Sequence, residues 1–179
     1  MFRPMVLAAT TAFFVSCAPA HAQQQEMLSD ALGAAIRTFE RASGQLGTVT
    51  MGVDNAAYGD ALKQQRFHAP TWGAVLDVHL LIEDSGDGAC GRFAAYVRPA
   101  IDNGSINLHF CPEFFSPSAD ELRETTILHE MVHVVMGPDE CLAMAYTAKI
   151  QTLAHGSFLP ITNYWNKHNC DSSGYSLPE

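Results

Sequence analysis

The chain has 179 residues, with 19 Asp and Glu against 10 Lys and Arg and a formal net charge of −9. The length fits one domain, and no basic stripe exists to meet a nucleic-acid backbone. Beyond the N-terminal segment, no apolar run is long enough to cross a bilayer.

Taken in chain order, the first element is an address. Arg3 supplies a positive charge, residues 5–15 are apolar, and Ala20-His21-Ala22 places small residues where a signal peptidase reads. The expectation is a signal peptide over residues 1–22, cleaved between Ala22 and Gln23, and one domain over residues 23–179. Phe14, three positions before Cys17, speaks against a lipid anchor there. The protein is therefore expected to be secreted or periplasmic. Cys90, Cys111, Cys141 and Cys170 remain after cleavage, and in an oxidising compartment they imply two disulfides with three possible pairings.

Leu28, Leu32, Ala35, Ile36 and Phe39 recur at three- and four-residue steps, which predicts an amphipathic helix over residues 26–42. A Gly-rich break follows at residues 44–52, then a second helix over 55–67 with Gly59 as its weak point. Residues 74–83, 93–98 and 105–110 read as strands, separated by an acidic Gly-rich turn at 83–91 and by Asp102-Asn103-Gly104. The short links favour antiparallel pairing. Ser118 and Glu121 form a capping-box pattern, with Asp120 at the positive end of the dipole. The helix they start runs to Gly137-Pro138. A further helix spans residues 139–153, with Leu142, Tyr146, Ile150 and Leu153 on one face, and the tail to Cys170 becomes helical after Pro160. The fold class expected is α+β, a small antiparallel sheet packed on helices. His79, His109, Tyr96 and Trp72 read as packed or surface residues.

The helix ending at Gly137 carries His129-Glu130-Met131-Val132-His133. Histidines four apart lie on one face, one turn apart, and can share one metal ion. Glu130 lies about 100° round the helix from His129, so it can reach a water on the ion without binding the ion. The chemistry expected is hydrolysis by a water that Zn2+ activates, with Glu130 as general base. A catalytic zinc wants three protein ligands and an open position. Downstream of His133 the acids are Asp139, Glu140, Asp171 and Glu179, and the histidines are His155 and His168. A thermolysin-like site would need a Glu on a later helix, and only the terminal Glu179 stands that far away. A metzincin-like site would need Gly at 136 and His at 139, where this chain has Met136 and Asp139. Asp139 or Glu140 is left as third ligand. Asp139 follows Pro138 at a helix start and suits an N-cap, whereas Glu140 has the longer reach.

Cys111-Pro112-Glu113-Phe114-Phe115, then Thr126-Ile127-Leu128-His129-Glu130, then a Gly-containing turn with an acid, resembles the aspzincin metallopeptidases, the deuterolysins and peptidyl-lysine metalloendopeptidases. Their pattern is a strand ending in Leu-Cys-x-x-Phe, a helix with Thr-Leu-x-His-Glu-x-x-His, and then Gly-Thr-x-Asp-x-x-Tyr-Gly. The resemblance covers residues 90 to about 153, with an echo at Asn163-Tyr164. It implies a zincin-like fold and lays Gly137-Pro138-Asp139-Glu140 over Gly-Thr-x-Asp, making Glu140 the third ligand. It also implies a Cys90–Cys111 bridge, which leaves Cys141–Cys170 as the second. The chain departs from the pattern at Pro138, where the family has Thr. The family's tyrosine falls at Ala143, so Tyr146, Tyr164 and His168 become the candidates for oxyanion or substrate contact, with His155 in reserve.

The function expected is a secreted, monomeric zinc metalloendopeptidase with one Zn2+ and a protein or peptide substrate. The alternatives are an effector or toxin-type peptidase acting on one target, and a secreted protein whose zinc is structural.

Overall fold

The computed structural model of the chain describes residues 20–69, 73–98 and 100–179. Most of the expected signal segment, including Cys17, lies outside these residues, as do Trp72 and the Pro99 expected to close a strand. Ala20 to Ala22 form the first turn of α1 (Ala20–Ser43), which buries Leu28, Ala31, Ala35, Thr38, Phe39 and Ala42 on one stripe. A two-strand hairpin, β1 (Val49–Thr50) and β2 (Val53–Asp54), then fills the Gly-rich break. The Asp54 carboxylate accepts the Ala56 and Ala57 N–H groups and so caps α2 (Asn55–Gln64).

The second helix is shorter than its expected span of residues 55–67. Gln65 takes a left-handed conformation at φ 51° and ends α2. Arg66–Ala69 becomes β3, with Phe67 and Ala69 turned inward and Arg66 and His68 outward. The alternation serves a strand edge better than another helical turn would.

The four-stranded sheet runs in the order β3, β4 (Ala74–Ile82), β6 (Ser105–Phe110), β5 (Ala95–Val97). The pairs β3–β4 and β5–β6 are antiparallel, but β4 and β6 pair in parallel, with Asp77 opposite Ser105 and Ile82 opposite Phe110. An all-antiparallel sheet is therefore not what forms. Short links placed β5 beside β4, but five of the six β6 residues are buried. Such a strand belongs in the sheet interior, covered on both faces. The connection over residues 83–94 carries β5 to the outer edge, and β6 folds back into the gap. The Cys90–Cys111 bridge, with Cα atoms 5.2 Å apart, ties that connection to the end of β6.

The Ser118–Glu121 capping box does not form. Residues Pro117–Leu122 make a 3-10 helix, and α3 begins only at Arg123 and runs to Met136. The Ser118 hydroxyl bonds Glu113 and Ser116 instead of a helix N–H. Arg123 holds the entry, donating to the Phe114 and Ser116 carbonyls and pairing with Asp120. Next come α4 (Glu140–His155) and a short α5 (Thr162–Lys167). The second bridge, Cys141–Cys170, fastens the start of α4 to the C-terminal segment, with Cα atoms 5.3 Å apart.

Helix α3 is the common neighbour. It packs on α1, α2, α4, β5 and β6 and buries Ile127, Leu128, Met131, Val132, Val134 and Val135. One tyrosine bonds it directly and a second backs the first. The Tyr58 hydroxyl donates to the Leu128 carbonyl at 2.8 Å, and Tyr146 packs edge-on against Tyr58 while donating to Asn55 Oδ1. No helix among the described residues is long and apolar enough to cross a membrane.

Gly59 is a close-approach site, and its helix-weakening character is the lesser effect. A Cβ there would stand 2.8 Å from the Phe39 ring, which is 3% exposed and packed on Tyr58. Ala would add about 1 kcal/mol of helix propensity, but crowding a packed ring costs about 1–3 kcal/mol. Gly59→Ala is expected to lower stability by about 1 kcal/mol in chemical denaturation, and a gain would show that the α1–α2 contact has slack.

Candidate metal centre

The α3 segment from Arg123 places His129 and His133 on one face, with Nε2 atoms 3.1 Å apart. Gly137 then turns the chain at φ 92°, a region side-chain-bearing residues rarely adopt. After Pro138, Asp139 caps α4 by accepting the Leu142 N–H at 3.0 Å. The carboxylate brought to the two histidines is that of Glu140, whose Oε2 lies 3.2 Å from His129 Nε2 and 3.7 Å from His133 Nε2.

These three residues can hold one metal ion. A tetrahedral zinc with bonds of about 2.0–2.1 Å separates its ligand atoms by about 3.3 Å, and the three spacings here bracket that figure. The His133 tautomer suits ligation. Its Nδ1–H donates to the Gly137 carbonyl at 2.9 Å, which leaves the Nε2 lone pair facing the other donors. Two imidazoles and a carboxylate form a hard-to-borderline N/O set of the kind zinc accepts. Among the described residues no fourth His, Cys, Asp or Glu joins the group.

The charges around this centre are strongly coupled. Burial would push the Glu140 carboxyl up, but its hydrogen bonds with His129 and His133 hold it well below the usual carboxylate range. Burial lowers His129, with Glu140 opposing; at His133 the lowering by burial is outweighed by bonds to Glu140 and Gly137. Glu130 makes no bond to the cluster. Burial pushes its carboxyl up to about 8, with Glu140 adding to the rise and His133 opposing it.

Glu130, His133 and Glu140 open on a cleft of about 230 Å³ whose far wall is Ala95, Tyr96 and Val97 of β5. That strand is one of the two edges of the sheet, the other being β3. Tyr164, on α5, closes one end of the cleft, with its hydroxyl 3.3 Å from Glu140 Oε2. Its own pKa is pushed up to about 12, by burial first and then by Glu140. His168 packs on the Tyr164 ring at 4.6 Å between centroids, tilted by 60°.

The remaining candidates lie elsewhere. Tyr146 is fully buried with its hydroxyl committed to Asn55. His155 bonds the Thr38 hydroxyl, and Asp171 accepts the Trp165 indole N–H. His79 is exposed on β4, whereas His109 is buried against Tyr96 and bonded to Glu83. Sequence reasoning missed β5 as a cleft wall, because three residues without periodicity carry no sign of what they face.

No family model, curated protein or solved structure matches this chain. The likeness to aspzincins therefore rests on the motif residues alone.

The raised Glu130 pKa has a consequence for the metal-free protein. A carboxyl whose pKa is higher folded than unfolded contributes stability that is complete below its ordinary value of 4.5 and is lost as pH climbs toward about 8. In chelator-treated protein, the denaturation midpoint should fall across that window more steeply for wild type than for Glu130→Gln. Parallel profiles would show that Glu130 stays hydrated.

Proposed function

We propose that this protein is a secreted zinc metalloendopeptidase, a divergent relative of the aspzincins. The observation that carries the reading is the meeting of three donor atoms at zinc-ligand spacing with a buried, non-ligating carboxylate at the mouth of the same cleft. His129, His133 and Glu140 are the ligands. When bound, zinc supplies Lewis acidity and lowers the pKa of water toward neutrality. Glu130 takes the proton from the attacking water and returns it to the departing amine. Beside a dication its carboxyl would be driven back to the charged form that a base requires. Tyr164 is the donor best placed for charge developing on the carbonyl oxygen, since its neutral hydroxyl already points to the centre.

The free edge of β5 supports a peptide substrate. An extended chain laid along it can pair with the backbone of residues 95–97 and cross the ligand set. A purely structural zinc fits less well, because a closed site uses four protein ligands and three converge here among the described residues. Two disulfides agree with an oxidising compartment, and the N-terminal segment supplies the export signal.

Two experiments test the assignment. Glu130→Gln should keep its zinc and its fold but lose about 10²–10⁴-fold in peptide hydrolysis, the usual cost of a lost general base. Turnover near that of wild type would sink the mechanism. Separately, Glu140→Ala should lose zinc by elemental analysis, while Asp139→Ala should keep zinc and lose about 0.5–2 kcal/mol of stability with its cap. Zinc loss confined to Asp139→Ala would reverse the ligand assignment.

A further inference from the structure

The two disulfides differ in access. Cys141 and Cys170 are buried, packed with Met144, Ala145 and Trp165. Cys111 is sealed at the end of β6. Cys90 alone of the four bridged cysteines is not buried, and it sits in a connection whose residues 84–88 and 91–93 are exposed. Exchange requires an external thiolate to reach one sulfur of the bridge, so access separates labile bridges from inert ones.

Little else holds that connection. Within residues 84–93 the hydrogen bonds are internal: Ser85 bonds Asp87, the Cys90 N–H donates to the Asp87 carbonyl, and the Arg92 and Phe93 N–H groups donate to the Ala89 carbonyl. Among the described residues no hydrogen bond or ion pair joins this stretch to another element. Fastening resumes at Ala94, whose carbonyl accepts the Cys111 N–H at 2.9 Å. Ala89 and Phe93, on either side of Cys90, line the cleft with Glu130, His133 and Glu140, and Ala95, Tyr96 and Val97 continue the same wall. The three metal-ligand candidates stand on α3 and α4, outside the connection.

We infer that Cys90–Cys111 is a redox tether for the cleft wall, whose reduction releases Ala89, Phe93 and β5 while the metal centre stays assembled. The site is then complete only in an oxidising compartment, and the chain stays latent while its thiols are reduced. β5 is a three-residue edge strand, so few ladder bonds remain to hold it once the tether is cut. A dithiol reductant supplies the two electrons and two protons. One of its thiolates attacks Cys90 Sγ, and Cys111 leaves and is protonated. Its second thiol then displaces Cys90 and closes the reductant's own disulfide. An external disulfide reverses both steps. The effect on peptide hydrolysis rests on the peptidase reading, whereas the selective release of the wall does not.

Zinc-loaded, oxidised protein is titrated with a water-soluble phosphine, which competes for zinc far less than a dithiol, and the freed thiols are alkylated and mapped by mass spectrometry. Cys90 and Cys111 should be labelled at reductant concentrations that leave Cys141–Cys170 intact, with zinc content unchanged. The Arg98 and Cys111 amides, which bond across the β5–β6 pair, should then exchange faster while α3 amides stay protected. KM for a peptide should rise roughly tenfold, the equivalent of about one lost backbone hydrogen bond, with kcat little changed, and should recover on reoxidation. Cys90→Ser combined with Cys111→Ser should show the raised KM without reductant and no response to it. Reduction of Cys141–Cys170 first, or of both bridges together, would overturn the inference. So would a singly reduced protein whose Arg98 and Cys111 amides, or whose KM, match those of the oxidised form. Selective release of the wall with no peptide hydrolysed by either form would instead overturn the peptidase reading and leave the tether standing.

Discussion

Between His133 and Glu140 the chain must leave α3, reverse, and deliver a carboxylate back to the face it has just left. Gly137 makes that possible by turning at φ 92°, and its carbonyl then accepts the His133 Nδ1 proton. One residue thus sets both the direction of the return and the tautomer of a ligand. Asp139 starts α4 by capping it, which spends the nearer acid on the Leu142 N–H and leaves the next one to face the histidines. Adjacent positions at a helix start diverge by about 100°, so the cap and the ligand cannot exchange roles without moving α4.

That geometry is demanding, and the rest of the structure holds α3 still. Apolar residues on five elements enclose it. Tyr58 adds a directional bond to the Leu128 carbonyl where apolar packing alone would permit sliding along the helix axis, and Tyr146 packs edge-on behind the Tyr58 ring. The disulfides act at the edges of the same arrangement. One anchors the connection that brings β5 to the cleft, and the other anchors the segment that carries Tyr164. The second bridge is itself buried, in a small cluster with Met144, Ala145 and Trp165 apart from the main core.

The electrostatics follow from placing ionisable groups in this enclosure. Three of them satisfy one another: Glu140 is held charged by two imidazoles, and His133 is held by Glu140 and a backbone carbonyl. The fourth, Glu130, has no such partner and feels mainly burial. Paired carboxylates and isolated ones diverge in acidity for this reason, and the proposed division into a ligand and a proton-transfer group builds on that divergence. Tyr164 is kept a donor by burial first and then by the neighbouring Glu140.

The four-residue spacing of the histidines, the Gly-Pro stop and the alternatives for the third acid were all legible in the chain, because helical geometry converts short spacings directly into directions. So were most elements, whose boundaries follow local periodicity. The Ser118–Glu121 pattern misled, since Glu113 and Ser116 compete for the Ser118 hydroxyl from the preceding turn. What local pattern could not carry was anything set by neighbours far along the chain. The parallel β4–β6 pairing arises because β6 needs cover on both faces, and only the assembled helices and sheet provide it. Tyr146 and Tyr164 are alike in sequence terms, yet one is sealed against Asn55 and the other reaches Glu140. The sequence by itself determined which side chains could form the site. Tertiary structure decided which of them meet, because burial and the choice of partner depend on the whole packed chain.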